Sequence, residues 1–156
     1  RRQRQMCIRD SDRLWRARHD AYLASFLLRP GAKGVSTDVC VPISRLADCI
    51  AETEKDLAES GLIAPVVGHV GDGNFHLLLL LDTDDASEMV RAEEFMDRLV
   101  KRALAMEGTC TGEHGIGQGK MKYLAMELGE ATDYMRMIKK AIDPDSIMNP
   151  GKILIS

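Results

Sequence analysis

An α+β fold built on an antiparallel, split βαβ sheet is predicted by three observations. β-rich runs alternate with long segments of helical apolar period, two of those runs lie back to back in mid-chain, and glycine or proline marks most boundaries. The chain has 156 residues, 45% of them hydrophobic, and a formal net charge of -3. That length suffices for one domain with a real core. The small negative charge argues against nucleic acid as a main partner. No apolar run approaches a membrane span, and no signal-peptide core opens the chain. The four cysteines, at positions 7, 40, 49 and 110, form no CxxC pair and read as reduced thiols.

Residues 1–11, "RRQRQMCIRDS", are densely basic and lack an apolar period. They resemble the read-through of a transposase sequencing adapter; a native basic extension is the alternative. They are set aside from the fold, as a tag would be, and domain reading starts at residue 12. From Asp12 a helix carries Leu14, Trp15, Tyr22 and Phe26 on one arc and ends at Pro30-Gly31. "GVSTDVCVP" reads as a strand. Ser44 is placed to cap a helix that turns Leu46, Ile50, Thr53 and Leu57 inward and stops at Gly61. Two strands follow, "APVVGHV" and "FHLLLLLD". Asp85 with Glu88 forms an Asp-type capping box for a long helix whose inner stripe is Met89, Ala92, Met96, Leu99, Ala103 and Met106. "GTCTG" is expected to supply a fourth strand, and helices run from about Met121 to Asp143 with a break near Gly129. The order strand–helix–strand–strand–helix–strand is the ferredoxin-like split βαβ arrangement, here with helices on one face and extra C-terminal helices.

Two glycine-rich stretches carry the chemistry. In "GHVGDGNFHLLLLLD" the histidines at 69 and 76 stand an odd number of residues apart, which in an unbroken strand sends them to opposite faces. Gly71-Asp72-Gly73-Asn74 is a turn signal, and a turn lets both imidazoles face one point. The leucines after His76 then read as a strand buried on both faces. Histidines satisfied within a core are the other reading. "TGEHGIGQG" places Glu113 and His114 among four glycines, free to aim at one site. His69, His76 and Glu113 make a two-histidine, one-carboxylate set for a divalent metal, and His114 beside it is free as a general base. A solvated Glu-His loop remains open on spacing alone. Arg18 falls within the apolar arc of the first helix, where a guanidinium calls for an anion. A ligand carboxylate and a structural aspartate serve equally at this point, and a snorkelling stem is open too.

Taken together, "GHVGDGNFH", "GTCTGEHGIGQGK" and "DPDSIMNPGKIL" resemble the C-terminal domain of FAD-linked D-2-hydroxy acid dehydrogenases. "LWRARH" and "KGVSTDVCVPISRL" look most like the cytochrome-linked D-lactate dehydrogenases, and the resemblance runs from about Leu14 to the end. It implies that residues 12–156 are the substrate- and metal-binding domain, with an FAD-binding domain preceding it in the whole protein. His69, His76 and Glu113 match the metal ligands, usually for zinc or manganese. His114 matches the base, Arg18 the clamp on the substrate carboxylate, and Asn149 and Lys152 the terminal motif that returns toward the flavin. The implied reaction removes the 2-hydroxyl proton through His114 while hydride passes to FAD. Leu78 and Ser36, where the D-2-hydroxyglutarate branch carries polar residues, favour a short tail such as that of D-lactate. The glycolate oxidase D subunit is the next candidate. The implied electron acceptor is a cytochrome or quinone. That places the protein in the bacterial cytoplasm, or in the mitochondrion of a eukaryote, with peripheral membrane contact compatible. No P-loop or G-x-G-x-x-G fingerprint stands for the flavin domain here, so the chain alone is expected to be inactive. Two readings outside the family are a metal-dependent hydrolase and a binding module without chemistry.

Overall fold

A computed structural model describes the backbone of residues 2–154 and the side chains of residues 10–154. Most side chains of the basic opening stretch therefore lie outside the described residues; its backbone from residue 2 is part of the first helix, α1 (Arg2–Ser25). A short 3-10 turn follows at Phe26–Leu28, and then β1 (Lys33–Ser36), β2 (Val39–Cys40), α2 (Ile43–Ser60), β3 (Val66–His69), β4 (Asn74–Leu81), α3 (Ala86–Ala105), α4 (Met121–Leu128) and α5 (Ala131–Ile142). This is the expected α+β order.

β4 is the centre of the sheet. β1 and β2 lie end to end along one side of it and β3 along the other, all antiparallel to it. The strand expected at "GTCTG" is reduced to one antiparallel bridge, Cys40 with Thr109. Beyond it residues 111–119 leave the sheet edge and form the loop of the functional cluster, which is why the ladder goes no further. The run expected as one strand over residues 34–42 is likewise interrupted, at Thr37 and Asp38.

Every residue of β4 is buried. Phe75, Leu77, Leu79 and Leu81 point into a core shared with Leu46 and Cys49 of α2 and Ala92, Phe95, Leu99 and Ala103 of α3. The alternate residues, Asn74, His76, Leu78 and Leu80, face the other side. There Leu78 meets Phe26 above Gly34, where a Cβ would lie 2.8 Å from the Phe26 ring and 2.9 Å from Leu78. Arg29 reaches the same face, donating to the Leu80 carbonyl at 2.8 Å and pairing with the Glu88 carboxylate.

Several details differ from the sequence reading. Pro42, not Ser44, occupies the N-cap of α2, because the preceding strand runs straight into it; Gly61 does end that helix, in the left-handed region at φ 68°. Asp85 caps α3 by accepting from the Ser87 and Glu88 amides. Glu88, however, turns inward to Arg29 and the Asp82 amide instead of closing a capping box. Glu88 and Phe95 are buried where Met89 and Met96 were expected, since the stripe is centred one position round the helix. Of the expected arc, Leu14, Trp15 and Tyr22 are 73%, 57% and 56% exposed, and Phe26, just past the end of α1, is half-buried. A periodic stripe shows that a helix has an apolar face, but not what covers it.

α2 and α3 are clamped by Asp56, which accepts from Arg98 Nη2 at 2.8 Å and Arg102 Nη2 at 2.7 Å. Burial alone would raise its carboxyl, but these two guanidiniums outweigh it and hold it below the ordinary value of 3.8. The charged form is therefore favoured by folding. Its contribution is full above the unfolded value and fades as the pH falls below about 4. Asp56→Asn is expected to cost about 2 kcal/mol at pH 7, discounted for the exposure of Arg98. In urea melts the gap from the parent should shrink as the pH is taken from 7 to 3. A gap that stays constant would mean the ion pair is not its source.

Candidate functional site

The β3–β4 hairpin resolves the odd spacing of its histidines. His69 pairs in register with Asn74, and Val67 with His76. Partners across a ladder share a face, as do residues two apart, so His69 and His76 are diagonal neighbours on the face away from α2 and α3. Their rings meet edge to face at a centroid separation of 6.2 Å. The turn at residues 70–73 makes this fit through Gly73, which sits at φ 77° with its would-be Cβ 2.0 Å from the Val41 carbonyl oxygen.

The 111–119 loop brings Glu113 to the same place. Glu113 Oε1 lies 2.8 Å from His76 Nε2, and Oε2 lies 3.8 Å from His69 Nε2. One ligating atom from each of His69, His76 and Glu113 falls within 4.8 Å of the other two. His114 adjoins the cluster, its ring 5.3 Å from that of His76. Arg18, on α1, lays its guanidinium 3.4 and 3.5 Å from the two nitrogens of His69, across the ring rather than in line with either one. Arg18 is exposed, so its charge is not buried and calls for no anion on that ground; what marks it is its place beside the cluster.

The fit of a metal to this cluster can be judged at His76. Its Nδ1 lies 2.9 Å from the Thr37 carbonyl oxygen, which only accepts, so Nδ1 carries the hydrogen. The buried Nε2 then presents a lone pair, with no donor to meet it, to a carboxylate oxygen. Two acceptors at that distance require a cation or proton between them. A ring whose far N–H is held by a backbone carbonyl is also how metal-bound histidines are oriented. The donor set fits a divalent ion.

Sequence reasoning missed the residue that holds the loop. Asp38, 2% exposed, accepts from the amides of Gly112 and His114, each at 3.0 Å, and of Glu113 at 3.2 Å. Thr111 Oγ1 and Asn74 Nδ2 donate to it at 2.8 and 2.9 Å, and Lys120 Nζ lies at 3.2 Å. Burial pushes its carboxyl up, but the His114 amide, Asn74, Thr111 and the Lys120 charge together hold it far below the usual range. The signal was an aspartate in the middle of a β-rich run, where the backbone disfavours it. Asn149 and Lys152 are exposed and not part of the His–Glu cluster, although their segment is tied to the loop by the Ile153 amide donating to Gly117 at 2.7 Å. Ser36 and Leu78 are register partners across β1 and β4, on the face of His76. Cys40, Cys49 and Cys110 are free thiols; burial and the Glu127 carboxylate push Cys110 up to about 12.

Residues 4–153 match the model of the FAD linked oxidases, C-terminal domain. A Danio rerio protein named "Probable D-lactate dehydrogenase, mitochondrial" is 56% identical over 143 residues, covering 91% of this chain and 29% of that protein. The mitochondrial D-lactate dehydrogenase [cytochrome] of Arabidopsis thaliana is 48% identical over 142 residues, 90% of this chain and 25% of its own length. The glycolate oxidase subunit GlcD of Bacillus subtilis is 36% identical over 141 residues, 90% of this chain and 30% of the subunit. The chain thus spans between a quarter and a third of the length of these relatives.

Proposed function

The chain belongs to the FAD-linked oxidases, as their C-terminal domain, and on that premise we propose that it is the substrate- and metal-binding part of a dehydrogenase converting D-lactate, or a closely related short D-2-hydroxy acid, to the 2-oxo acid. The observation that carries this reading is the convergence of His69, His76 and Glu113 within 4.8 Å, with His114 and Arg18 at its rim. FAD, held mainly by a domain outside this chain, supplies the hydride acceptor, and a divalent ion such as zinc or manganese supplies a Lewis acid that eases loss of the hydroxyl proton.

The roles of this chain's own residues follow from their placement. His69, His76 and Glu113 hold the ion. Arg18, free to swing from the His69 ring, pairs through its planar fork with the substrate carboxylate. His114, exposed and next to His76, takes the hydroxyl proton on a ring nitrogen. Leu78 and Ser36, on the His76 face, are uncharged and offer no cation to a second carboxylate, which favours a short, uncharged tail. Asn149 and Lys152, on the segment tied to Gly117, face the flavin side. A cytochrome or quinone takes the electrons, and in a eukaryote the protein is mitochondrial. Glycolate is the second reading, favoured by the GlcD relative and by the same short-tail geometry.

The test uses the intact flavoprotein that carries this chain. Mixed anaerobically with D-lactate, L-lactate, glycolate or D-2-hydroxyglutarate, its flavin is expected to bleach fastest with D-lactate. Bleaching should be lost on chelation and restored by added zinc or manganese. Fast bleaching by a protein assayed as metal-free would overturn the metal assignment, and a preference for D-2-hydroxyglutarate would overturn the roles of Leu78 and Ser36.

A further inference from the structure

We propose that Thr37 is a positioning residue that fixes the tautomer of His76 by an exchange within the β-ladder; the inference rests on the reading of His76 as a metal ligand. Thr37 lies in the gap between β1 and β2, yet the register is unbroken across it: Ser36 pairs with Leu78 and Val39 with Phe75. Thr37 thus stands opposite Leu77. Its amide donates to the Leu77 carbonyl at 2.9 Å, as a ladder requires. The return bond is different. The Leu77 amide donates to the Thr37 hydroxyl oxygen, at 2.9 Å, in place of the Thr37 carbonyl. That carbonyl is released from the sheet and accepts from His76 Nδ1, also at 2.9 Å. Both residues are buried, so water offers no substitute partner.

The side-chain oxygen therefore does two things at once. It satisfies a central-strand amide that would otherwise be orphaned, and it frees a backbone oxygen to hold the far side of the imidazole. With Nδ1–H held, the Nε2 lone pair points at the site. Without the hydroxyl, the Leu77 amide reclaims the carbonyl, and His76 Nδ1 is left facing only the more distant Asp38 Oδ1, at 3.7 Å. The ring then gains by carrying its hydrogen on Nε2, where Glu113 Oε1 waits at 2.8 Å as an acceptor. That tautomer closes the lone pair to a metal. Valine at 37 is the same shape and lacks only the oxygen; serine keeps it.

The intact flavoprotein, labelled with ring-15N histidine, tests this directly. In the metal-free parent and in Thr37→Ser, His76 Nδ1 is expected to carry a hydrogen held by the Thr37 carbonyl; in Thr37→Val that hydrogen should be lost from Nδ1, leaving the ring with its hydrogen on Nε2 alone. Cobalt(II), followed by its visible absorption, should bind Thr37→Val at least tenfold more weakly than the parent, and Thr37→Ser within about threefold. Thr53→Val removes a hydroxyl buried elsewhere, one that donates to the Cys49 carbonyl at 2.7 Å. It should lower stability without moving the His76 signals or the cobalt spectrum. An unchanged His76 tautomer in a folded Thr37→Val protein would overturn the proposal. Failure of the parent to take up cobalt would instead sink the metal reading, and the tautomer comparison would still decide the role of Thr37.

Discussion

His76→Ala in the intact flavoprotein should lower the rate of flavin reduction by D-lactate by about a thousandfold, equivalent to about 4 kcal/mol of transition-state stabilisation. His76 is the buried member of the cluster, and its Nε2 is the only one of the candidate ligand atoms aimed by a fixed backbone partner. Losing it leaves His69 and Glu113, both exposed, too few to hold an ion firmly. Metal content should fall with activity, while the flavin spectrum stays that of the parent. His114→Ala should separate the two effects. A general base contributes typically 10²–10⁴-fold, so the rate should fall within that range with the metal retained. A His76→Ala protein that keeps its metal and stays within tenfold of the parent rate would remove His76 from the mechanism.

The largest loss of stability is expected from Gly73→Ala. The backbone at Gly73 has φ 77°, which an L side chain adopts only with strain, and the added Cβ would stand 2.0 Å from the Val41 carbonyl oxygen. The turn cannot back away, because the Gly73 carbonyl accepts from the Val41 amide at 3.0 Å. Strain and overlap together should cost about 3 kcal/mol or more, a fall in Tm of about 10 °C for a chain this size. Gly71→Ala is the comparison: nothing lies within 4 Å of its would-be Cβ and its φ is ordinary, so the change should be within about 0.5 kcal/mol. Equal melting temperatures for the two variants would show that the turn relaxes freely and does not fix the distance between His69 and His76.

How much of this was legible in the sequence depends on whether a feature is local. The helix ends at Gly61 and the Asp85 cap are local, and both were read correctly. So were the order strand–helix–strand–strand–helix and the convergence of His69 with His76, because a turn signal between two β-rich runs fixes which residues face together. Glu113 and His114 were identified from loop composition, yet what holds them was not: Asp38 is 75 and 76 residues away in sequence and reaches their amides only through the fold. The fate of the α1 arc was equally illegible, since apolar period does not say whether a partner exists within the chain. The "GTCTG" strand failed for a related reason. Local β propensity competes there with the pull of Asp38 on the Gly112–His114 amides, and the carboxylate wins.

One consequence of the two-sided burial of β4 concerns how the domain can change its substrate over evolutionary time. The strand that presents His76 and Leu78 on one face presents Leu77 and Leu79 to the helices on the other. Sliding it to make space for a larger acid would drag four core side chains out of their packing. If Ser36 and Leu78 set the substrate as proposed, new specificities are accessible by exchanging side chains at those fixed backbone positions and closed to backbone drift. A lineage descended from this scaffold should record its substrate history in those few side chains, with the strand itself standing still.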